Sequence, residues 1–134
     1  VSLSTNYSEE IARYDVEAIA KKRIENFKFL DSLLRNMDGI ISLKVLSNND
    51  IPHNYPIYVK NGLREKLYFH MIDKGVTLIA LYYRLISDLN EERFNEMQDL
   101  SNSVLNLPIH QDMSKESITR LVELLIKGIS EITE

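Results

Sequence analysis

Two short segments hold the side chains best suited to chemistry. Tyr82, Tyr83 and Arg84 set two phenols and a guanidinium side by side at the end of an apolar run. Strand ends of this kind often carry ligand groups, because a rigid element holds them beside a cleft. An aromatic pair at the rim of the core, with an exposed Arg, is the plainer reading, and both stand. The second segment is Leu107-Pro108-Ile109-His110-Gln111-Asp112-Met113-Ser114. It reads first as a ligand loop and then as a hinge, in which an apolar run meets a Pro-terminated turn and a capped helix. His53 lies in a polar loop and is expected to be exposed. His70 falls on or beside an apolar helix face and is expected to pack there, with no second ligand at helical spacing for a metal.

No complete catalytic or metal site can be written from these residues. Four glycines occur singly, so neither a phosphate-binding loop nor a dinucleotide fingerprint is present. No His-Glu-x-x-His occurs, and nothing orders Ser, His and Asp into a triad. Cysteine is absent, which excludes disulfides, thiolate catalysis and cysteine-held metals.

The elements that must position these groups follow from periodicity. Ser8 to Asp38 has a helical pattern carried by Ile11, Tyr14, Ala18, Phe27, Leu30 and Leu34, with a break expected near Arg13 to Asp15 and Gly39 as the stop. Lys21-Lys22-Arg23 reads as a solvated face flanked by Glu17 and Glu25. Ile41, Leu43 and Val45 alternate with polar residues as a half-buried strand. Tyr55 to Val59 is a second strand, and Pro56 argues for an edge or a rim. Asn61 is read as the N-cap of a helix bearing Leu63, Leu67 and Met71, ended by Lys74-Gly75. Val76 to Tyr83 is apolar on both faces, as a covered central strand would be.

Ser87 to Asn102 predicts a short helix. Ser114 then caps a last helix whose stripe runs from Ile118 to Ile132, with Met113 and Ile118 placed for a hydrophobic staple. Gly128 within that stripe costs about 1 kcal/mol of helix propensity relative to Ala, which suggests close packing. The predicted fold is α+β: a small, mostly antiparallel sheet of three or four strands, helices mainly on one face, and long helices at both ends of the chain.

At 134 residues the chain is expected to form a single domain over residues 1–134. Its net charge of -4 gives no electrostatic reason to bind nucleic acid or an anionic membrane. No run approaches a membrane span. The start, Val1 to Asn6, has neither a basic region nor an apolar signal core, so a cytoplasmic location is expected. It also lacks Met, which fits a processed tag or a piece of something longer.

Several segments, in order, resemble the C-terminal small domain of the pyridoxal-phosphate-dependent sugar aminotransferases of the DegT/DnrJ/StrS type (fold type I). Arg13-Tyr14-Asp15, then Lys22-Arg23, Asn26, Phe27 and Leu30, resembles that family's long linking helix. Tyr55-Pro56-Ile57 and Val59, then Arg64 and Leu67, resembles its strand–helix unit. Lys74-Gly75-Val76 matches the start of the next strand. Leu100-Ser101, Val104-Leu105 and Leu107-Pro108-Ile109-His110 resemble the segment ahead of its last helix, here Ser114 to Ile132.

The resemblance implies a large domain, absent here, that supplies the lysine and the aspartate for pyridoxal phosphate. This chain alone would then bind no cofactor and hold no catalytic residue. The resemblance also implies substrate contacts from a His followed by an aromatic after Gly75-Val76. The aromatic is Tyr82, or Tyr83 in a shifted register, but Leu81 stands where the His belongs. The substrate-binding candidates are therefore Tyr82, Tyr83, Arg84 and His110. In the intact protein an amino group would pass from glutamate to a keto-sugar, nucleotide-linked. The alternative is a free-standing α+β module that binds a small molecule or dimerises, without enzymatic activity. The expected partner is the large domain or a second copy, since the apolar last helix favours self-association.

Overall fold

The computed structural model describes residues 13–81, 83–86 and 92–133. The first described helix, α1, runs Val16–Leu34 because Asp15 caps it. Its carboxylate accepts from the Ala18 N–H at 2.9 Å, satisfying a first-turn donor. The break predicted near Arg13 to Asp15 is therefore present, and Ser8 to Ala12 lie outside the described residues. The helix ends earlier than Gly39. That glycine has φ +85°, and a Cβ on it would come within 2.8 Å of Ile129. It serves a close approach to the last helix instead of a C-cap.

Three strands follow in spatial order β1 (Ile40–Ser42), β2 (Asn54–Val59) and β3 (Val104–Pro108), all antiparallel. Tyr55, Ile57 and Val59 point to one face with Leu105 and Leu107, and all five are buried. That face meets Phe27, Leu30 and Leu34 of α1. Leu67 and Met71 of α2 (Arg64–Asp73) and Ile118, Leu121 and Leu125 of α4 (Lys115–Thr133) complete the same core. On the opposite face Tyr58 donates to Asp99 of α3 (Asn95–Ser103) at 2.7 Å. The result is the expected α+β fold, with three strands among the described residues.

The register of β1 differs from the expectation. Ile40 pairs with Val59 and is buried, whereas Ile41 is 50% exposed and Leu43 and Val45 are exposed too. A one-residue slip turns every side chain to the other face. Of the alternating triplet only Ile41 lies in β1, on its outer face; Leu43 and Val45 fall beyond Ser42, where the strand has ended, and the single Ile40 is the core residue. Pro56 sits in the central strand and not at an edge. It is tolerated because β1 has ended by then: Leu43 N–H still donates to the Pro56 carbonyl, and no reciprocal donor is needed there.

The described residues of the Val76 to Tyr83 segment do not form a central strand. Among them Ile79 alone bridges to Asn106, through Ile79 N–H to Asn106 O at 3.2 Å and Asn106 N–H to Ile79 O at 2.9 Å. The outward edge of β3 offers no further N–H donor to either side of Asn106. The Val104 N–H caps α3 by donating to Leu100 O, and Pro108 has no N–H. Leu78 is buried, but Ile79 and Leu81 are exposed, so the segment is covered on one side only.

Asn61 likewise is not an N-cap. It takes a left-handed conformation (φ 60°) in the 3-10 turn Lys60–Gly62, and α2 begins after Leu63 with no side-chain cap. The other end of α2 is as predicted. Gly75 has φ +79°, its N–H bonds Ile72 O and the Val76 N–H bonds Met71 O, which closes a Schellman turn.

Candidate functional site

One turn of α1 holds the His110 loop in place. Arg23 and Asn26 are three residues apart and so share a helix face. Asn26 is buried, and its amide nitrogen donates to His110 O at 2.8 Å, with longer approaches to Met113 O (3.4 Å) and Ile109 O (3.5 Å). Arg23 Nε donates to Gln111 Oε1 at 3.2 Å, and its Nη1 donates to His53 O at 3.2 Å. The loop before β2 and the loop after β3 are thereby fastened to one helix. The His110 loop then leads into α4 through Ser114, whose Oγ accepts from the Ser117 N–H, while Met113 and Ile118 are both buried. The cap is as predicted, and both staple residues lie in the core.

His110 itself points away from this anchorage, with its side chain 51% exposed. Its Nδ1 lies 3.7 Å from Asp112 Oδ2, beyond hydrogen-bond distance. Two clefts meet beside it. A cleft of about 230 Å³ is lined by Arg23, His53, Asn54, Thr77 and His110. A second, of about 500 Å³, shares Thr77, Pro108 and His110 and extends to Val76, Leu121 and Arg120. Arg120 is paired with Glu123 at 3.2 Å.

Of the other predicted site residues, Tyr82 lies outside the described residues. Tyr83 is 53% exposed, and the Arg84 guanidinium sits 5.4 Å from its ring centroid in a local cation–π contact. Neither lines the two clefts beside His110. His53 is exposed, as expected, while its carbonyl accepts from Arg23 and the residue lines the smaller cleft. Arg23 is the residue that sequence reasoning missed. It belongs to the basic stretch read as solvated, yet it is half-buried and faces two loops. Its spacing to Asn26 was visible, but its partner Gln111 stands 88 positions away.

A larger groove of about 810 Å³ opens on another side, between α1 and β1. Asp31 there accepts from the Tyr55 hydroxyl at 2.9 Å and pairs with Arg35 at 2.6 Å. Burial pushes the Tyr55 phenol up to about 12, against a hydrogen bond with Ser42 and with a further rise from Asp31. Among the described residues no group of three His, Cys, Asp or Glu is placed to hold a metal. No described helix is long and apolar enough to cross a membrane.

Residues 14–126 match the sequence profile of the DegT/DnrJ/EryC1/StrS aminotransferase family. The chain belongs to that family. Solved structures of family-like enzymes share its fold. They include the aminotransferase TlmJ from Streptoalloteichus hindustanus (TM-score 0.71, 17% identity, 87% of this chain and 33% of that one). A putative sugar aminotransferase from Streptococcus pneumoniae, in its PLP form, matches with TM-score 0.73 and 16% identity over 91% of this chain and 33% of that one. Helicobacter pylori PseC, an aminotransferase involved in the biosynthesis of pseudoaminic acid, gives 0.68 and 14% over 84% and 33%. No curated protein matches in sequence. This DegT/DnrJ/EryC1/StrS chain spans about a third of the length of each of those structures.

Pyridoxal phosphate needs an amine for its carbonyl carbon and a carboxylate for its ring nitrogen. Neither cleft beside His110 is lined by a lysine. Lys28, Lys44 and Lys60 line the larger groove together with Asp31 and Asp38. Asp31 has one oxygen taken by Tyr55 and the other by Arg35, and Lys44 is paired with Asp50 at 2.7 Å. The two clefts beside His110 do not fit the cofactor, and no step of its chemistry is assigned to this chain.

Proposed function

We propose that this chain acts as the C-terminal small domain of a pyridoxal-phosphate-dependent sugar aminotransferase-like protein and is not catalytic by itself. The observation that carries the reading is the asymmetry of the match: nearly all of this chain superposes on about a third of each solved aminotransferase. The lining of the two clefts beside His110, which includes no lysine, supports the same reading. In the intact protein, a large domain would bind pyridoxal phosphate and the amino group would pass from glutamate to a nucleotide-linked keto-sugar in the cytoplasm. This chain would cover one side of that site, with His110 and the Tyr83–Arg84 stack as its candidate substrate contacts.

Reading the coding sequence immediately upstream of Val1 tests this. The expected result is a frame, continuous or adjacent, that encodes the lysine-bearing cofactor region. An unrelated neighbour would count against the proposal and favour a free-standing module.

A further inference from the structure

The larger groove lies apart from the His110 site, with no lining residue in common with either cleft there. It follows β1, an end strand of the sheet with no strand on its far side among the described residues. The Gly39 carbonyl and the Leu43 N–H both bond to β2. By the alternation of an antiparallel ladder, Ile40 and Ser42 turn their N–H and C=O groups to the open edge. Such an edge is a template for another strand, and proteins commonly guard it with a lysine. Lys44 stands there, but its ammonium is paired with Asp50 at 2.7 Å.

The groove has an apolar floor and a basic rim. Leu34, Met37, Ile40 and Leu46 line its base, while Ile41 and Val45 stay 50% and 88% exposed beside them. An aliphatic row left in water next to an open edge marks an interaction surface. Lys28 and Lys60 also line the groove, with no carboxylate partner among the described residues. Its Asp31 is already bonded to Arg35 and Tyr55, which leaves Asp38 as the one unpaired carboxylate of the described lining. Unpaired cations therefore outnumber unpaired anions here, on a chain whose net charge is -4. The Lys60 N–H bonds the Gly39 carbonyl, which sets Lys60 at the start of β1. Lys28 lies about two helical turns before Arg35. Because the chain reverses between α1 and β1, that places it toward the other end of the groove.

We infer that this groove binds an extended segment of another polypeptide, apolar in its middle and acidic toward both ends, which adds as a strand to the β1 edge. Backbone bonds to Ile40 and Ser42 set its register, and alternate side chains face the groove. The apolar ones cover Met37 and Leu46, and the carboxylates meet Lys60 at one end and Lys28 at the other. The surface stands whether the chain works inside an aminotransferase or by itself.

Titration of the isotope-labelled full chain by NMR tests the inference. The probe is a capped heptapeptide, Glu-Thr-Val-Thr-Val-Thr-Glu, which places both Val and both Glu on one face of a strand. Saturable shifts are expected at the Ile40 and Ser42 amides and the Val45 methyls. The same peptide with Lys for Glu should bind at least about threefold more weakly, and Lys28→Glu combined with Lys60→Glu should reverse that preference. Ser42→Pro removes an outward N–H at an edge position where Pro is tolerated, and should weaken binding roughly three- to tenfold. If Ser42→Pro does not fold, the donors are removed from the peptide instead. N-methylation at its odd or at its even positions blocks one edge or the other, and one of the two sets should abolish binding. No saturable shift at β1 overturns the site. A Lys peptide that binds as tightly as the Glu peptide overturns the acidic assignment. A folded Ser42→Pro that binds as the parent does, or binding unchanged by both N-methylated sets, overturns the added strand. Shifts at Ile40 and Ser42 that grow with protein concentration in the absence of peptide give the groove to a second copy and overturn the inference.

Discussion

The side-chain amide of Asn26 donates to the backbone carbonyl of His110 at 2.8 Å across 84 positions of sequence. The two residues belong to separate segments that carry the family resemblance, and the fold joins them directly. Removing the amide would take a donor from the buried Ile109 and Met113 carbonyls and leave the His110 carbonyl to the Met113 N–H alone. Asn26→Ala should therefore destabilise the chain by about 2–3 kcal/mol. Asn26→Asp should cost more, because a carboxylate would face carbonyl oxygens. Urea denaturation of the three proteins checks the order.

Gly128 on α4 meets α2 closely. A Cβ there would lie 2.9 Å from His70 Cδ2 and 3.1 Å from Leu67 Cδ1. Ala gains about 1 kcal/mol of helix propensity, but overpacking of this kind costs about 1–3 kcal/mol. Gly128→Ala is expected to be net destabilising. In a double-mutant cycle His70→Ala should recover much of that loss, and simple additivity would show that the helices do not meet through these two residues.

Alkaline pH should expose the burial of Tyr55. Its phenol holds its proton to about 12 in the fold, against an ordinary value of 10.0. The unfolded chain releases that proton first, so the contribution is fully present below pH 10 and is lost as pH rises through 12. The stability of the parent protein should fall over this interval more steeply than that of Tyr55→Phe. Parallel curves would place the phenol in water.

The register of β1 separates Ile40 from Ile41. Ile40→Ala should cost about 2–5 kcal/mol as a core truncation, while Ile41→Thr should stay within about 0.5 kcal/mol. Equal effects, or the reverse order, would restore the alternating pattern as the inward face.

How far the sequence reveals this fold depends on how local the deciding interactions are. The Ser114 cap and the Gly75 Schellman turn rest on neighbours within a few residues, and both are legible. Ile41, Leu43 and Val45 reveal neither the phase nor the end of β1, because both are set by pairing with Val59 and its neighbours, which stops at Ser42. Val76 to Tyr83 has the composition of a buried strand, yet the edge it would pair with is closed by Pro108 and by the Val104 cap, features of another segment. The candidate site follows the same rule. His110 stands out by its place after Leu-Pro-Ile, whereas Arg23 looks like one more surface cation until the His53 and Gln111 loops are folded against it.

On the proposed function, the lysine that holds pyridoxal phosphate belongs to the large domain. Borohydride reduction of the full chain with one equivalent of pyridoxal phosphate, followed by peptide mass mapping, tests this most directly. Only sparse labelling scattered over surface lysines is expected. A stoichiometric adduct on one lysine would overturn the proposal.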